Sequence, residues 1–423
     1  MTGRATPGVT VAGPGRLGRL PSDELLGFLL GRRWFRALEH PPASARVAAA
    51  VHADDVLELS LVDVRFEDGL GGFYLVALGA DGGDAMTDPA SLRRLAQLAG
   101  VDTPCASVRT AGGEQTNSAV VLDESVVLKL YRHIEPGPGI EAELLHGLQA
   151  AGFTSSPRLR GVIEGGSPEP HTTLGIVTDY VASAGDGWEL TLASLSAGDT
   201  GWLPSRARRL GEVTGAMHAA LASSPDPLIA PEVPGPHSVG ELTAELERDL
   251  ALLAGTPLAG RLDEVRDVVR SLGENAELPR LALRIHGDYH LGQALWADGG
   301  DWVVIDMEGE PARPMSERRR RTFALRDVAG MLRSFAYAAD ASSLHGDVPA
   351  PADWELSCRS AFLEGWRATV DPRLVPAGER GCERLLALCE LRKLLYELHY
   401  ELSHRPDWVC IPVAGLERIL GET

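Results

Sequence analysis

RIHGDYHLGQALWADGGDWVVIDMEGEP, residues 284–311, places two carboxylates and an amide around one expected hairpin. The apolar runs ALW and WVVID flank the Gly-rich turn ADGGD, the pattern of two short antiparallel strands. Pairing them brings Gln293 and Asp306 together at the open end, beside the loop that carries Asp288. Their side-chain oxygens are hard donors of the kind Mg²⁺ takes, and Mg²⁺ bridges phosphates. A separate Asp beside such a pair suits acceptance of a proton from a hydroxyl nucleophile. His286 and His290 are spaced i, i+4, but no helix is expected there and the HExxH glutamate is missing. They read as loop hydrogen-bonding groups rather than zinc ligands. Glu308 and Glu310 read as solvated.

Phosphoryl transfer needs a base or positioning group, metal ligands, and a lysine on a strand that reaches nucleotide phosphates. Upstream, Lys129 lies in the strand pattern VVLKLY, and Glu143 lies on the next expected helix, placed to hold it as an ion pair. A further strand, TTLGIVTDYVA, follows. The order of strand Lys, helix Glu, linking strand, Asp, Gln, Asp is that of a bilobal kinase. No G-x-x-x-x-G-K-[ST] occurs, which excludes a P-loop enzyme. The turn EQTNS, with Gln115 and Ser118, stands where a phosphate-covering loop would sit, and reads equally well as an ordinary polar turn.

The 423 residues carry a net charge of -19, which argues against nucleic-acid binding. Five cysteines show no CxxC or metal-ligand spacing, as expected of reduced thiols in a cytoplasm. The start, MTGRATPGVTVAGPGRLG, has no apolar signal core and reads as a mobile tail. No apolar stretch is long enough to span a membrane. Of 40 basic residues only Lys129 and Lys393 are lysines. A point-charge ammonium and a planar guanidinium are not interchangeable, so both positions are candidates for sites where the fork does not fit.

The N-terminal quarter reads as a helix from PSDELLGFLLGRRWF with Ser22 as cap, a hairpin turning at Glu67-Asp68-Gly69, and a short helix ending at Gly100. A second hairpin turns at Asp123-Glu124 and leads into the helix GPGIEAELLHGLQAAGF. From Ser183 the chain is mostly helical, ending in a long helix stopped before Pro406. The four arginines at 318–321 read as a solvated loop.

HGDYHLGQ, IDMEGEPARP, LRDVAGMLRSF and HRPDWVCIP resemble the bacterial maltokinase family, relatives of aminoglycoside phosphotransferases. GEQTNSAVVL, VVLKLYRHIEPG and GDGW are similar too, so the likeness runs in patches from RRWF to Pro412. The resemblance implies an α+β, bilobal, protein-kinase-like fold. Its parts would be an N-terminal cap (1–106), an intermediate nucleotide-binding subdomain (107–182) and a helical C-lobe (183–423). It implies use of ATP and Mg²⁺ to make maltose 1-phosphate for α-glucan synthesis. Residue by residue, Asp288 resembles the catalytic base, Gln293 and Asp306 the metal ligands, and Lys129 the ATP-phosphate lysine. Thr178, Asp179, Tyr180 and Val181 resemble the hinge that receives adenine.

The same resemblance puts the sugar on the C-terminal helix, at Lys393, Tyr396, Glu397, Tyr400 and Glu401, then Arg405 and Trp408. Lys393, Tyr396, Glu397 and Tyr400 recur at i, i+3, i+4 and i+7, so one helix face can present them, or can be a packing face. The sequence departs from the pattern at RALEHPP and at Arg392, where an acidic residue is common. This brings in the glucosamine kinase branch, for which Glu397, Glu401 or Glu308 would meet the ammonium. Maltose is the leading acceptor and glucosamine the alternative. A catalytically silent nucleotide-binding regulator and an aminoglycoside-modifying enzyme rank lower.

If Asp288 is the base, Asp288→Asn lowers turnover by roughly 100-fold or more while ATP binding persists. Steady-state kinetics and nucleotide titration check this, and retained turnover removes Asp288 from that role.

Overall fold

The computed structural model describes residues 15–35, 41–111, 117–166, 171–235, 237–274, 276–311, 313–345 and 348–421. The chain divides into two units, Met1–Leu145 with Pro157–Ala182, and His146–Ser156 with Ser183–Thr423.

In the first unit, strand Leu57–Phe66 lies between Pro42–Ala53 and Gly71–Gly79, antiparallel to both. Gly71–Gly79 also pairs with the short strand His133–Ile134. The expected hairpin turns where Asp68 accepts the Leu70 N–H at 2.9 Å and Gly69 adopts φ +84°. Pro42–Ala53 is a strand that alanine-rich composition argues against, and pairing with a central strand overrides that weak preference. Helix Ser22–Leu30 packs Leu25 and Leu29 with Val62, Val64 and Val76 in one apolar cluster. Ser22 does not cap it; Pro21 occupies the cap position and the Ser22 hydroxyl accepts the Ala45 N–H at 3.0 Å. Most of the expected tail lies outside the described residues. Its end is docked, with Leu17 buried and Arg16 bonded to Glu58 and to the carbonyls of Gly79 and Ala80.

The second sheet of this unit is antiparallel throughout. Its order is Val108–Thr110, Ser118–Leu122, Val126–Leu130, Thr172–Asp179, Leu159–Gly165. Asp123 and Glu124 take φ of 54° and 47°, so the hairpin turns on two left-handed residues, matching the twist of its strands. Asp123 earns that conformation locally. Its carboxylate accepts the Thr103 hydroxyl at 2.6 Å and the N–H groups of Cys105, Ala106 and Ser107 at 2.9, 2.7 and 2.9 Å. These bonds, the Thr103 hydroxyl foremost, hold its carboxyl below the usual range. One side chain thereby ties the link after helix Pro89–Leu98 to the hairpin that carries Lys129. We propose a boundary at 106/107 between a cap and a nucleotide-binding subdomain on these two sheets, although the first sheet borrows His133–Ile134.

The second unit is mainly helical, with a small sheet of Ser183–Asp186, Ala294–Ala297 and Trp302–Val304. Helices Pro204–Ala222 and Trp354–Thr369 approach closely because glycine lines the contact. A Cβ at Gly211 would stand 2.0 Å from the Phe362 carbonyl oxygen, and one at Gly365 1.9 Å from that of Arg208. Helix Leu325–His345 and the long helix Glu379–His404, which stops before Pro406 as expected, complete the scaffold of the site. The arginine run is not a solvated loop. Arg318 closes a short helix, and the guanidinium groups of Arg318 and Arg321 dock on main-chain carbonyls of Glu308, Arg313, Pro227 and Ala230. Among the described residues no helix is long and apolar enough to cross a membrane. All five cysteines are free thiols.

Asp123→Ala removes the acceptor of all four of these carboxylate bonds at once. Its thermal midpoint should fall below wild type, with Asp123→Asn in between, and an unchanged midpoint by calorimetry contradicts the anchoring role.

Candidate active site

The hairpin forms as the sequence requires: Ala294 pairs with Val304, Leu295 with Val303 and Trp296 with Trp302. At its open end the Gln293 amide nitrogen donates to Asp306 Oδ2 at 3.3 Å. That orientation leaves the Gln293 amide oxygen as a hard donor beside a carboxylate, a set that fits Mg²⁺. Asp306 adopts φ +62°, a conformation Asp tolerates better than most residues.

The preceding loop is held by one carboxylate from helix Leu325–His345. Asp327 accepts the His286 N–H through Oδ2 and the Gly287 N–H through Oδ1, each at 2.9 Å. Asp327 Oδ2 also lies 3.1 Å from His218 Nε2, and Trp366 Nε1–H donates to His218 Nδ1 at 3.1 Å. An indole N–H only donates, so the neutral imidazole carries its proton on Nε2 and gives it to Asp327. Burial alone would raise the Asp327 carboxyl; His218, His286 and the Gly287 N–H hold it below the usual range. Gly287 has φ +87°, and a Cβ there would stand 3.1 Å from the Gly309 Cα, so the two loops meet backbone to backbone. His286 Nε2 lies 2.8 Å from the Ile305 carbonyl oxygen, and His290 Nδ1 accepts the Gly292 N–H at 3.1 Å. Both histidines bond the loop, as expected.

Asp288 is held by Lys393, whose Nζ donates to Oδ1 at 2.8 Å. The same Nζ lies 3.4 Å from Glu310 Oε1 and 4.7 Å from the Tyr396 ring centroid. Glu310 is not solvated, contrary to expectation: it is 3% exposed and takes a two-pronged bond from Arg392 at 3.3 and 2.8 Å. Arg392 and Arg326 both reach Glu245 Oε2, at 3.1 and 3.0 Å. Burial would raise the Glu310 carboxyl, but the charges of Arg392 and Lys393 outweigh it and bring it down to about 2. Partial burial would lower Lys393, yet Asp288 and Glu310 push it well above the usual lysine value, so it stays charged.

Along the same helix, the rings of Tyr396, Tyr400 and His404 stack in sequence at 6.4 and 4.5 Å. Trp408 stacks on Tyr337. Glu397 bonds Arg333 at 2.7 Å, and Glu401 bonds the Tyr337 hydroxyl at 2.5 Å and Arg405 at 2.6 Å. Each of these two carboxylates thus already has a cationic partner, and of the expected sugar face it is the aromatic edge that is exposed, with Tyr400 38% accessible. Glu308 is half-buried two residues beyond Asp306.

In the first unit, Lys129 pairs at 2.9 Å with Glu141, which also accepts the Tyr131 hydroxyl at 3.0 Å. The expected partner, Glu143, lies two residues on, about 200° around the helix from Glu141. The Ser118 hydroxyl accepts from Arg132 Nε at 2.7 Å, which makes it a structural group of the sheet. Gln115 lies outside the described residues. At the expected hinge, Thr178 and Asp179 end their strand, and the N–H groups of Asp179 and Tyr180 bond the Arg158 and Ser125 carbonyls. Among the described residues, the Val181 N–H donates to no backbone carbonyl.

A strand lysine paired with a helix glutamate, and an Asp loop beside a Gln–Asp hairpin, define a small-molecule phosphotransferase of protein-kinase-like fold. The family model described as the phosphotransferase enzyme family matches residues 107–309. A glucosamine kinase of Mycolicibacterium smegmatis is 30% identical over 331 residues, 74% of this chain and 81% of the relative. A glucosamine kinase of Streptacidiphilus jiangxiensis is 32% identical over 330 residues, 73% of this chain and 72% of the relative. The fold is shared with a solved glucosamine kinase in complex with glucosamine, ADP and inorganic phosphate. That structure has a TM-score of 0.66 at 23% identity, covering 99% of this chain and all of that one. The chain belongs to the phosphotransferase enzyme family.

Sequence reasoning missed His218, Asp327, Glu310, Glu245 and Glu141 as site supports. Asp327 and Glu310 stood inside motifs noted for their resemblance, Glu310 being read as solvated, and the other three carried no local signal.

Glu310 titrates near 4.5 when unfolded and near 2 when folded, so its contribution is complete above about pH 4.5 and lost as pH falls toward 2. The shift corresponds to roughly 3 kcal/mol. Denaturant unfolding across that window should show a steeper acid loss for wild type than for Glu310→Gln; parallel curves contradict the ion-pair assignment.

Proposed function

We propose that this phosphotransferase uses ATP and Mg²⁺ to phosphorylate glucosamine, giving glucosamine 6-phosphate. The observation that carries the reading is that two curated relatives, each matched over about three quarters of this chain, are named glucosamine kinase. The same finding moves maltose, first on sequence resemblance alone, behind glucosamine.

The geometry supports the following roles. Asp288 accepts the proton of the acceptor hydroxyl. The oxygen attacks the γ-phosphorus, the bond from that phosphorus to the β–γ bridging oxygen breaks, and ADP leaves with the electron pair. Lys129, steadied by Glu141, meets the ATP phosphates. Val181 offers its backbone N–H to adenine. Gln293 and Asp306 would hold Mg²⁺, which when bound neutralises charge building on the phosphoryl oxygens. Tyr396 and Tyr400 offer aromatic surface to the sugar, while Glu397 and Glu401 act through Arg333, Arg405 and Tyr337 rather than as bare anions. Glu308 and Trp408 remain proposed acceptor contacts.

The test is ATP consumption with Mg²⁺ across glucosamine, maltose, glucose and an aminoglycoside, with NMR of the product. Turnover with glucosamine and a 6-phosphate signal is expected. Maltose 1-phosphate, or turnover confined to the aminoglycoside, overturns the acceptor assignment.

A further inference from the structure

Asp288, Lys393, Glu310 and Arg392 form one charge chain, buried at Glu310 and Arg392 and partly open at Asp288 and Lys393, and its members do different jobs. Arg392 spends its fork on Glu310, one nitrogen on each oxygen. Glu245 holds Arg392 from the other side and is itself held by Arg326. Glu310 is therefore fixed from behind, with Oε1 toward Lys393. Lys393 is 12% exposed in its side chain, and its Nζ is set by three groups at once: Asp288 Oδ1, Glu310 Oε1 and the Tyr396 ring. Among the described residues, Lys393 makes the ion pair that the Asp288 carboxylate has.

A carboxylate in a loop rotates unless one oxygen is committed. Lys393 commits Oδ1. Oδ2 is then presented in a fixed direction for an acceptor hydroxyl, which is the preorganisation that transfer geometry requires. A three-donor point charge can sit between two carboxylates and under a ring, where a planar fork already occupied by Glu310 cannot.

We propose that Lys393 is the positioning residue of the base, and that Glu310 acts through Lys393 by fixing its ammonium; this rests on the reading of Asp288 as the base. Neither residue then contacts the transferred group. This differs from the sequence expectation that Lys393 bonds the sugar.

The test uses the chain's two lysines, Lys129 and Lys393. Labelling lysine with ¹⁵N at Nζ gives two ammonium resonances in the full-length protein, and Lys393→Arg identifies one by its loss. That resonance should move in Asp288→Asn and in Glu310→Gln, while the Lys129 resonance stays. Kinetics supply the second arm. Lys393→Met should lower kcat roughly tenfold or more with KM for ATP unchanged, and Lys393→Arg should restore part of it. Glu310→Gln should lower kcat less, and the double variant should be no worse than Lys393→Met alone, since coupled groups are non-additive. A Lys393 resonance indifferent to Asp288→Asn overturns the proposal whether or not the variants fold. Losses in the double variant that multiply, or a raised KM for the sugar with kcat unchanged in Lys393→Met, overturn it too. Wild type that phosphorylates maltose but not glucosamine fails the acceptor reading only, and the kinetic arm then runs on maltose.

Discussion

Asp327 is the carboxylate on which the site depends. Its two oxygens take the N–H groups of His286 and Gly287, and so set the direction in which the next residue, Asp288, leaves the loop. It is 1% exposed, and a buried carboxylate is costly unless its lone pairs are satisfied. Here they are, by two main-chain donors and by His218, whose own orientation is fixed by Trp366. The close helix contact through Gly211 and Gly365 belongs to the same support, because it joins the helix of His218 to the helix of Trp366. Packing between these two helices thus reaches the turn that carries Asp288 through one imidazole.

The second constraint is the chain of ion pairs from Asp288 to Arg326. It explains Arg392, which looked like a departure from the family pattern. Arg392 is the partner of Glu310 and Glu245, and it leaves the adjacent Lys393 free to serve Asp288. In a chain with 38 arginines, each of the two lysines meets a carboxylate at short range, Lys129 that of Glu141, and Lys393 that of Asp288 with Glu310 beside it. At both positions the point charge is used in a way a guanidinium fork would not reproduce.

What could be read in advance was what is local. The Gln293–Asp306 hairpin, the Asp123-Glu124 turn and the long helix before Pro406 each follow from a few adjacent residues, through alternation, turn chemistry or proline. The Lys129 strand was legible for the same reason. Glu141, two residues before the expected Glu143, was not read as a partner of Lys129, because helix phase is uncertain at a terminus and two residues is half a turn. Glu310–Arg392 and His218–Asp327 were invisible because their partners lie 82 and 109 residues apart, and neither spacing has any periodicity to betray it. Pro42–Ala53 was missed because its alanines speak against a strand, and only its neighbour makes it one.

The central claim is that Asp288, held on one oxygen by Lys393, is where the acceptor loses its proton. A crystal structure with glucosamine, Mg²⁺ and a non-hydrolysable ATP analogue tests it most directly. The account places the sugar's 6-hydroxyl within hydrogen-bond distance of Asp288 Oδ2, with Lys393 still on Oδ1. A 6-hydroxyl bound away from Asp288, or a Lys393 that has left Asp288 to bond the sugar, would contradict it.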